Sequence, residues 1–251
     1  MRRVLSAIIS LAAVITGAAA DGTPFVEHGK PDRFLSFDAH ALLGGVTVTQ
    51  NFRSCFPQIS QMAITTGVST GVGATAHTSF TRFISLGMEA NFLINNFRMN
   101  MAVADDDATS ITDVFVRNHF YTLNFPVYIT LDFNLGSKVK WNVDAGAYYS
   151  YGLTGKSKST LYTAQVNPLG QLITTMTSAK SDFYNSKEAF ITSYYKGDYG
   201  LHLATGLTFG RRVSIGLRMQ IGFKNVAHAF DAVKRPNVHN FNFFGTAGWC
   251  F

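Results

Sequence analysis

Charged residues are scarce, at 14% of the 251-residue chain, where a soluble domain carries roughly 25%. Beyond the first twenty residues the chain also lacks any apolar run of about 18 residues, which excludes membrane-spanning helices. The only two cysteines, Cys55 and Cys250, are isolated, and the histidines show no paired spacing, so neither a metal nor any other cofactor is expected. No nucleophile, base and orienting acid fall at a telling spacing either. What the chain does hold is apolar surface: 47% hydrophobic residues and 14% aromatics, with 22 Phe and 10 Tyr. A greasy exported chain without spanning helices has one common membrane solution, alternating strands closed into a barrel.

Export is read from the first twenty residues. Arg2 and Arg3 precede an apolar run at 4–15, and Ala18, Ala19 and Ala20 form a small-residue cleavage site before Asp21. This is the layout of a secretory signal peptide. The expected organisation is a signal peptide at 1–20 and an outer-membrane β-barrel domain at 21–251. The net charge of +6 is scattered over strand ends and loops, so nucleic acid is not an expected partner. A solvated loop surface, or attraction to acidic glycolipid such as lipopolysaccharide, fits better.

Period-two alternation marks eight strands. In 213–223 the odd positions are Val213, Ile215, Leu217, Met219, Ile221 and Phe223, separated by Ser214, Gly216, Arg218, Gln220 and Gly222. The same rule holds near 199–209, 121–133, 139–151, 84–94 and 62–74, where Met62, Ile64, Val68 and Val72 are expected on one face. It holds less regularly at 34–48, and the last strand, about 239–251, ends Phe241, Phe243, Gly245, Ala247, Trp249 and Phe251. Connections near 77–81, 134–138 and 210–212 are short, and those near 49–61, 97–116, 154–197 and 226–238 are long. Strict alternation of short and long puts all tight turns at one end, as in outer-membrane barrels. The fold expected is all-β: an eight-stranded antiparallel up-and-down transmembrane β-barrel. Within 154–197, turn residues between two β-prone runs suggest a projecting hairpin; a ten-strand barrel that includes it is the alternative.

Aromatics gather at two heights, as interfacial girdles should. Phe37, Phe133, Trp141, Phe209, Trp249 and Phe251 lie toward the short turns. Phe92, Tyr121, Tyr149, Tyr151, Tyr199, Phe223 and Phe241 lie toward the long loops.

Several segments then resemble the PorT-like outer-membrane β-barrel domain family. These are the Gly197-Asp198-Tyr199-Gly200-Leu201 run, Gly206-Leu207, the stretch from Arg218 to Asn225, and the close from Asn240 to Phe251. The Tyr121-Thr122-Leu123-Asn124-Phe125-Pro126-Val127 strand and Asp144-Ala145-Gly146-Ala147-Tyr148 add to the series. The resemblance implies a small eight-stranded barrel, mostly without assigned activity, although PorT itself is linked to a protein-secretion apparatus.

The inward positions yield a candidate polar lumen network: Asp38, His40, Glu89, Asp132, Lys140, Asp144, His202, Arg218 and Lys224. A barrel of eight strands is filled by its own side chains, so these charges are expected to pair. Asp132 with Lys140, and Asp144 with Arg218, are the expected pairs. Phe243, Trp249 and Phe251 resemble the C-terminal signal read by the barrel-assembly machinery. Rim candidates for catalysis are His119, His228, His239, Ser193 and Asp198, although no enzyme is expected. Asp105, Asp106 and Asp107 read as a solvated acidic loop tip before a cation site. Cys55 and Cys250 are expected at opposite ends as free thiols. The function expected is a non-enzymatic barrel with a plugged lumen and long loops for surface binding, adhesion or an accessory envelope role. An extracellular ligand would meet the 154–197 loop. A narrow solute pore is the alternative, and a lipid-modifying enzyme a further one.

Overall fold

The computed structural model describes residues 22–104, 110–167, 169–187, 193–210, 212–228 and 236–251. The expected signal peptide and the Asp105–Asp107 tip lie outside them. Among the described residues there are twelve strands: β1 (Leu35–Gln50), β2 (Ile59–Thr65), β3 (Gly67–Ser79), β4 (Ile84–Ala104), β5 (Ser110–Asn134), β6 (Val139–Val166), β7 (Leu172–Asp182), β8 (Ser193–Tyr194), β9 (Gly197–Phe209), β10 (Val213–Gly222), β11 (Ala227–His228) and β12 (Val238–Cys250). A single helical turn, α1 (Phe52–Cys55), follows β1. No helix among the described residues is long and apolar enough to cross a membrane.

Eight strands close a ring in the order β1, β3, β4, β5, β6, β9, β10, β12 and back to β1, every pairing antiparallel. Seven of them are segments that alternation marked, and the eighth, 62–74, is divided between β3 in the ring and β2 beside it. The seam is well made: β12 pairs β1 from Asp38↔Cys250 to Gln50↔Val238. Alternation explains the closure. In β5 the outward Phe125, Val127 and Ile129 are 40, 46 and 55% exposed, while the inward Asn124, Tyr128 and Thr130 are buried. Outward apolar rows recur around the ring at Leu43, Val72, Met88, Tyr149, Ile215, Leu217 and Phe243. Among the described residues no helix or second sheet covers them, and lipid is the medium in which such a face is stable.

Three expectations change. First, 97–116 is not a long connection, because β4 runs on to Ala104 and β5 begins at Ser110. With 21, 25 and 28 residues, β4, β5 and β6 far exceed the ~9–11 that cross a bilayer, and they stand well above it. Second, the hairpin in 154–197 exists as β6–β7, paired from Lys156↔Asp182 to Val166↔Leu172. β7 pairs β6 alone, so it stays outside the ring and the barrel does not grow to ten. Third, β2 and β3 both pair β4, but the register slips by one residue between Thr65↔Arg98 and Thr70↔Ile94, with Thr66 between them. An extra residue flips the faces beyond it. Met62 and Ile64 therefore pack inward, whereas Val68 and Val72 face out at 60 and 61% exposure. A second bulge, where Leu153 has no partner between Tyr121↔Thr154 and Thr122↔Gly152, re-aims β6 at a similar height.

Above these bulges the strand chemistry inverts. Inward positions of β4 and β5 become Phe97, Met99, Met101, Val114 and Val116, all buried. Outward positions become Arg98, Asn100 and Arg117, all exposed. Phe52 of α1 joins these inward side chains, as do Phe183 and Val226 from the connections, Tyr194 of β8 and Val238 at the start of β12. Phe97 meets Phe120, Phe183 and Tyr194 edge-on at about 6 Å. The result is a dry core of the kind found in soluble proteins, built over the membrane end of the ring.

Candidate functional site

Three polar layers line the ring interior below that core. In the first, Glu89 is enclosed: its Oε2 accepts from Arg218 Nη1 at 2.5 Å and Asn91 Nδ2 at 3.0 Å, and its Oε1 from the Tyr128 hydroxyl at 2.6 Å. His40 bridges Asp38 (3.0 Å) and Asn91 (2.7 Å). Asp38 also accepts from Thr75 at 3.0 Å and lies 3.2 Å from His77. In the second layer, Gln220 exchanges hydrogen bonds with Asn124 at 3.0 and 3.2 Å and reaches His202 at 3.2 Å. Tyr128 stacks on His202 at 5.1 Å. The third holds Ser69, Asn95 and Thr122 on one side. On the other side Asp198 accepts from Tyr148 and Asn240 at 2.9 and 2.8 Å. Below the layers, next to Asp38, His77, Asp144 and Arg218, is a cavity of about 70 Å³.

The expected lumen residues divide accordingly. Asp38, His40, Glu89, His202 and Arg218 meet in one network. Asp132 and Lys140 do not pair, since Asp132 faces Asn142 and Lys140 faces Asn134. The turn is off-centre by one residue: the Leu135 N–H bonds the Val139 carbonyl at 2.9 Å, which sets the hairpin axis at 137. Arg218 takes Glu89 and not Asp144, although both Asp144 and Arg218 are register partners of Ala204. Lys224 lies past the end of β10 at the long-loop rim, with Nζ 5.3 Å from the Tyr195 ring centre, where its charge reaches Asp198 at the edge of the third layer. Asn91, Thr75, His77, Tyr128, Asn124 and Gln220 belong to the network but were not singled out, because uncharged inward residues and a turn-proximal histidine carry no mark in sequence beyond parity.

The aromatic residues stand near both ends of the outward rows. Phe133 and Trp141 are 5.1 Å apart, and Phe92 stacks on Tyr121 at 6.0 Å. Phe209, Tyr149, Tyr151, Tyr199, Phe223, Phe243, Trp249 and Phe251 are exposed on the outside. At the turn end, residues 22–34 run along the β3–β4 and β5–β6 turns. Phe25 stacks on Phe133 at 4.9 Å. Arg82 holds the segment by Glu27, by Asp32 at 2.8 Å and by the Lys30 carbonyl at 3.0 Å. Arg33 donates to the Phe251 carbonyl at 2.8 Å.

Of the rim candidates, the described register brings Ser193 and His228 together and leaves the others apart. His119 points outward to Asn96 and Tyr121 at 2.5 and 3.0 Å, and Asp198 is enclosed in the third layer. Ser193 and His228 are register partners across the small β8–β11 pair. His239 lies at the outer end of β12, opposite Thr49. Burial raises the Tyr184 and Tyr194 phenols above their ordinary range, with the Asp198 charge adding to the first. Both stay protonated. Among the described residues no group of His, Cys, Asp and Glu can hold a metal. Cys55 in α1 and Cys250 at the opposite end are both free thiols.

A closed antiparallel ring with lipid-facing rows outside and polar layers inside defines an integral β-barrel of the bacterial outer membrane. The chain belongs to the outer membrane protein beta-barrel domain family, whose model matches residues 32–228. No curated protein matches it in sequence. Similar solved structures include Neisserial surface protein A, at 11% identity and a TM-score of 0.34, covering 86% of this chain and 99% of that one. Ail, the attachment invasion locus protein of Yersinia pestis, solved with the heparin analogue sucrose octasulfate, is 13% identical with a TM-score of 0.34 and coverage of 86% and 97%. OprG from Pseudomonas aeruginosa gives 7%, 0.33, and coverage of 91% and 99%.

Proposed function

We propose that the protein is a non-enzymatic, eight-stranded outer-membrane barrel with a plugged lumen, displaying the β6–β7 hairpin for surface binding. The observation that carries this is the filling of the middle and long-loop end of the interior: above a turn-end cavity of about 700 Å³ lie three hydrogen-bonded polar layers and then a largely apolar core. Water has no continuous file through such a stack. The hairpin supports the second half. β7 is exposed along almost its whole length, it pairs on one edge only, and Leu169, Leu172 and Met176 are 82, 69 and 63% exposed. A free edge with apolar side chains beside it suits an extracellular protein or glycan partner. The PorT-like segments support kinship with small barrels. They give no support to a secretion role, since a projecting hairpin departs from the compact pattern.

Two measurements test this. In planar bilayers the purified protein should show no steady conductance; reproducible single-channel steps would replace the plugged barrel with the narrow pore. Removing residues 159–179 should leave the heat-sensitive mobility of a folded barrel unchanged while reducing adhesion of expressing cells to host matrix at least ten-fold. Unaltered adhesion would move the binding surface elsewhere. The terminal aromatics are read as an assembly signal. Phe251→Asp puts a charge at the lipid boundary, which by itself costs no more than about 1 kcal/mol, so a several-fold lower folded outer-membrane fraction in heat-modifiability gels is the expected result of losing the signal. Normal assembly of that variant would show that Phe251 is only an anchor.

A further inference from the structure

The outward face just above the apolar rows carries a line of cations that the lumen does not use. The register sets Arg98 opposite Arg117, Arg117 opposite Lys158 and Lys158 opposite Lys180, across β4, β5, β6 and β7. All four are exposed, and none is in a described ion pair. With strands ~4.8 Å apart, the four charges span about 14 Å. Like charges directly opposite in a sheet repel and destabilise it, so the row is stabilised by anions supplied from outside. The chain supplies few: outward Asp113 lies four residues beyond Arg117 on β5, and Asp182 is engaged by Lys156 at 2.6 Å.

Height identifies the anion. On β5 the outward sequence runs Ile129, Val127, Phe125, Leu123 and Tyr121, then His119, then Arg117. On β4 it runs Phe92, Ile94, Asn96, Arg98. Four residues separate Tyr121 from Arg117, about 13 Å along the strand and roughly 10 Å in height at a barrel tilt of ~40°. That is the level of lipid headgroups, one step above the Phe92–Tyr121 girdle. The row faces sideways, toward neighbouring lipid, and lies on the same tall wall that carries the hairpin.

We infer that Arg98, Arg117, Lys158 and Lys180 form a binding site for the phosphorylated headgroup of an outer-leaflet lipid, with the two arginines taking phosphate oxygens in bidentate fashion. This rests on the hairpin end being external, as proposed above. Bound phosphates would relieve the repulsion along the row and hold the β4–β7 wall against the membrane surface.

The test uses the full-length folded protein in detergent micelles with bisphosphorylated lipid A as the probe and its dephosphorylated form as control, read by native mass spectrometry. Each cation beside an anionic lipid surface is worth about five-fold in affinity. Replacing all four by Gln (R98Q, R117Q, K158Q, K180Q) should therefore weaken binding at least 25-fold. The pair K30Q and K138Q, at the opposite rim, should change it less than two-fold. Equal binding of the dephosphorylated lipid, an unchanged four-fold variant, or capture of a sulfated polysaccharide with no lipid preference would each overturn the site. Heat-modifiable gel mobility verifies that every variant is folded. An epitope inserted after Leu169 and stained on intact cells tests the orientation separately: staining with no lipid preference sinks this site alone, whereas absent staining sinks the external hairpin.

Discussion

Arg218→Met should destabilise the folded barrel by about 3–5 kcal/mol, and adding Glu89→Gln should restore most of the loss. The Glu89 side chain is fully enclosed, and its Oε2 depends on the Arg218 guanidinium at 2.5 Å. Removing one partner strands a charge without its counterion, the expensive way to break a buried pair. The double variant keeps volume and a hydrogen-bonding amide for Asn91 and Tyr128 but has no charge to neutralise, so it should approach the parent. Urea titration of protein refolded in vesicles, followed by the fluorescence of the interfacial Trp141 and Trp249, measures both. A single variant within 1 kcal/mol of the parent would mean that another group or solvent already balances Glu89.

Phe97→Ala should cost a similar amount, about 3–5 kcal/mol, as truncation of a fully packed aromatic does. Phe97 is 1% exposed and makes three ring contacts in the external core. The neighbouring outward Phe92→Ala, at 37% exposure, removes only lipid contact and one stacked partner, and should cost less than half as much. The Phe97 variant should also speed proteolysis at the β6–β7 end while the membrane portion stays resistant, because the core it damages lies outside the bilayer. Equal urea midpoints for the two variants would show that the apolar cap carries no folding energy.

The ring was legible from sequence because lipid enforces a simple rule: outward residues are apolar at nearly every second position, with Thr70 and Thr205 among the few departures. Ile84 to Ile94 and Tyr121 to Phe133 obey it. The tall wall was not legible for the same reason. From 96 to 104 the alternation continues as Asn96, Phe97, Arg98, Met99, Asn100, Met101, but with apolar residues now on the inward parity, and it reads as the end of a membrane strand. The continued period of two across 97–103 and 111–120 was the available signal. The two bulges hid the rest, since an extra residue at Thr66 makes Met62 and Val68 look like neighbours on one face. Pairing inside the lumen was legible as a requirement, but not as a list of partners. Glu89 and Arg218 lie 129 residues apart and meet only through the ring closure. The turn of 135–138, a single residue off symmetry, was enough to separate Asp132 from Lys140.

The inversion of strand chemistry means that position parity alone cannot forecast the outcome of a substitution here. Along β4, leucine should be welcome at even numbers up to Ile94 and at odd numbers beyond Phe97, so a saturation scan would show its tolerance profile shift phase by half a period at the bilayer surface. The altitude of that phase shift, mapped strand by strand, would trace the tilt of the barrel in a living membrane with no structural experiment at all.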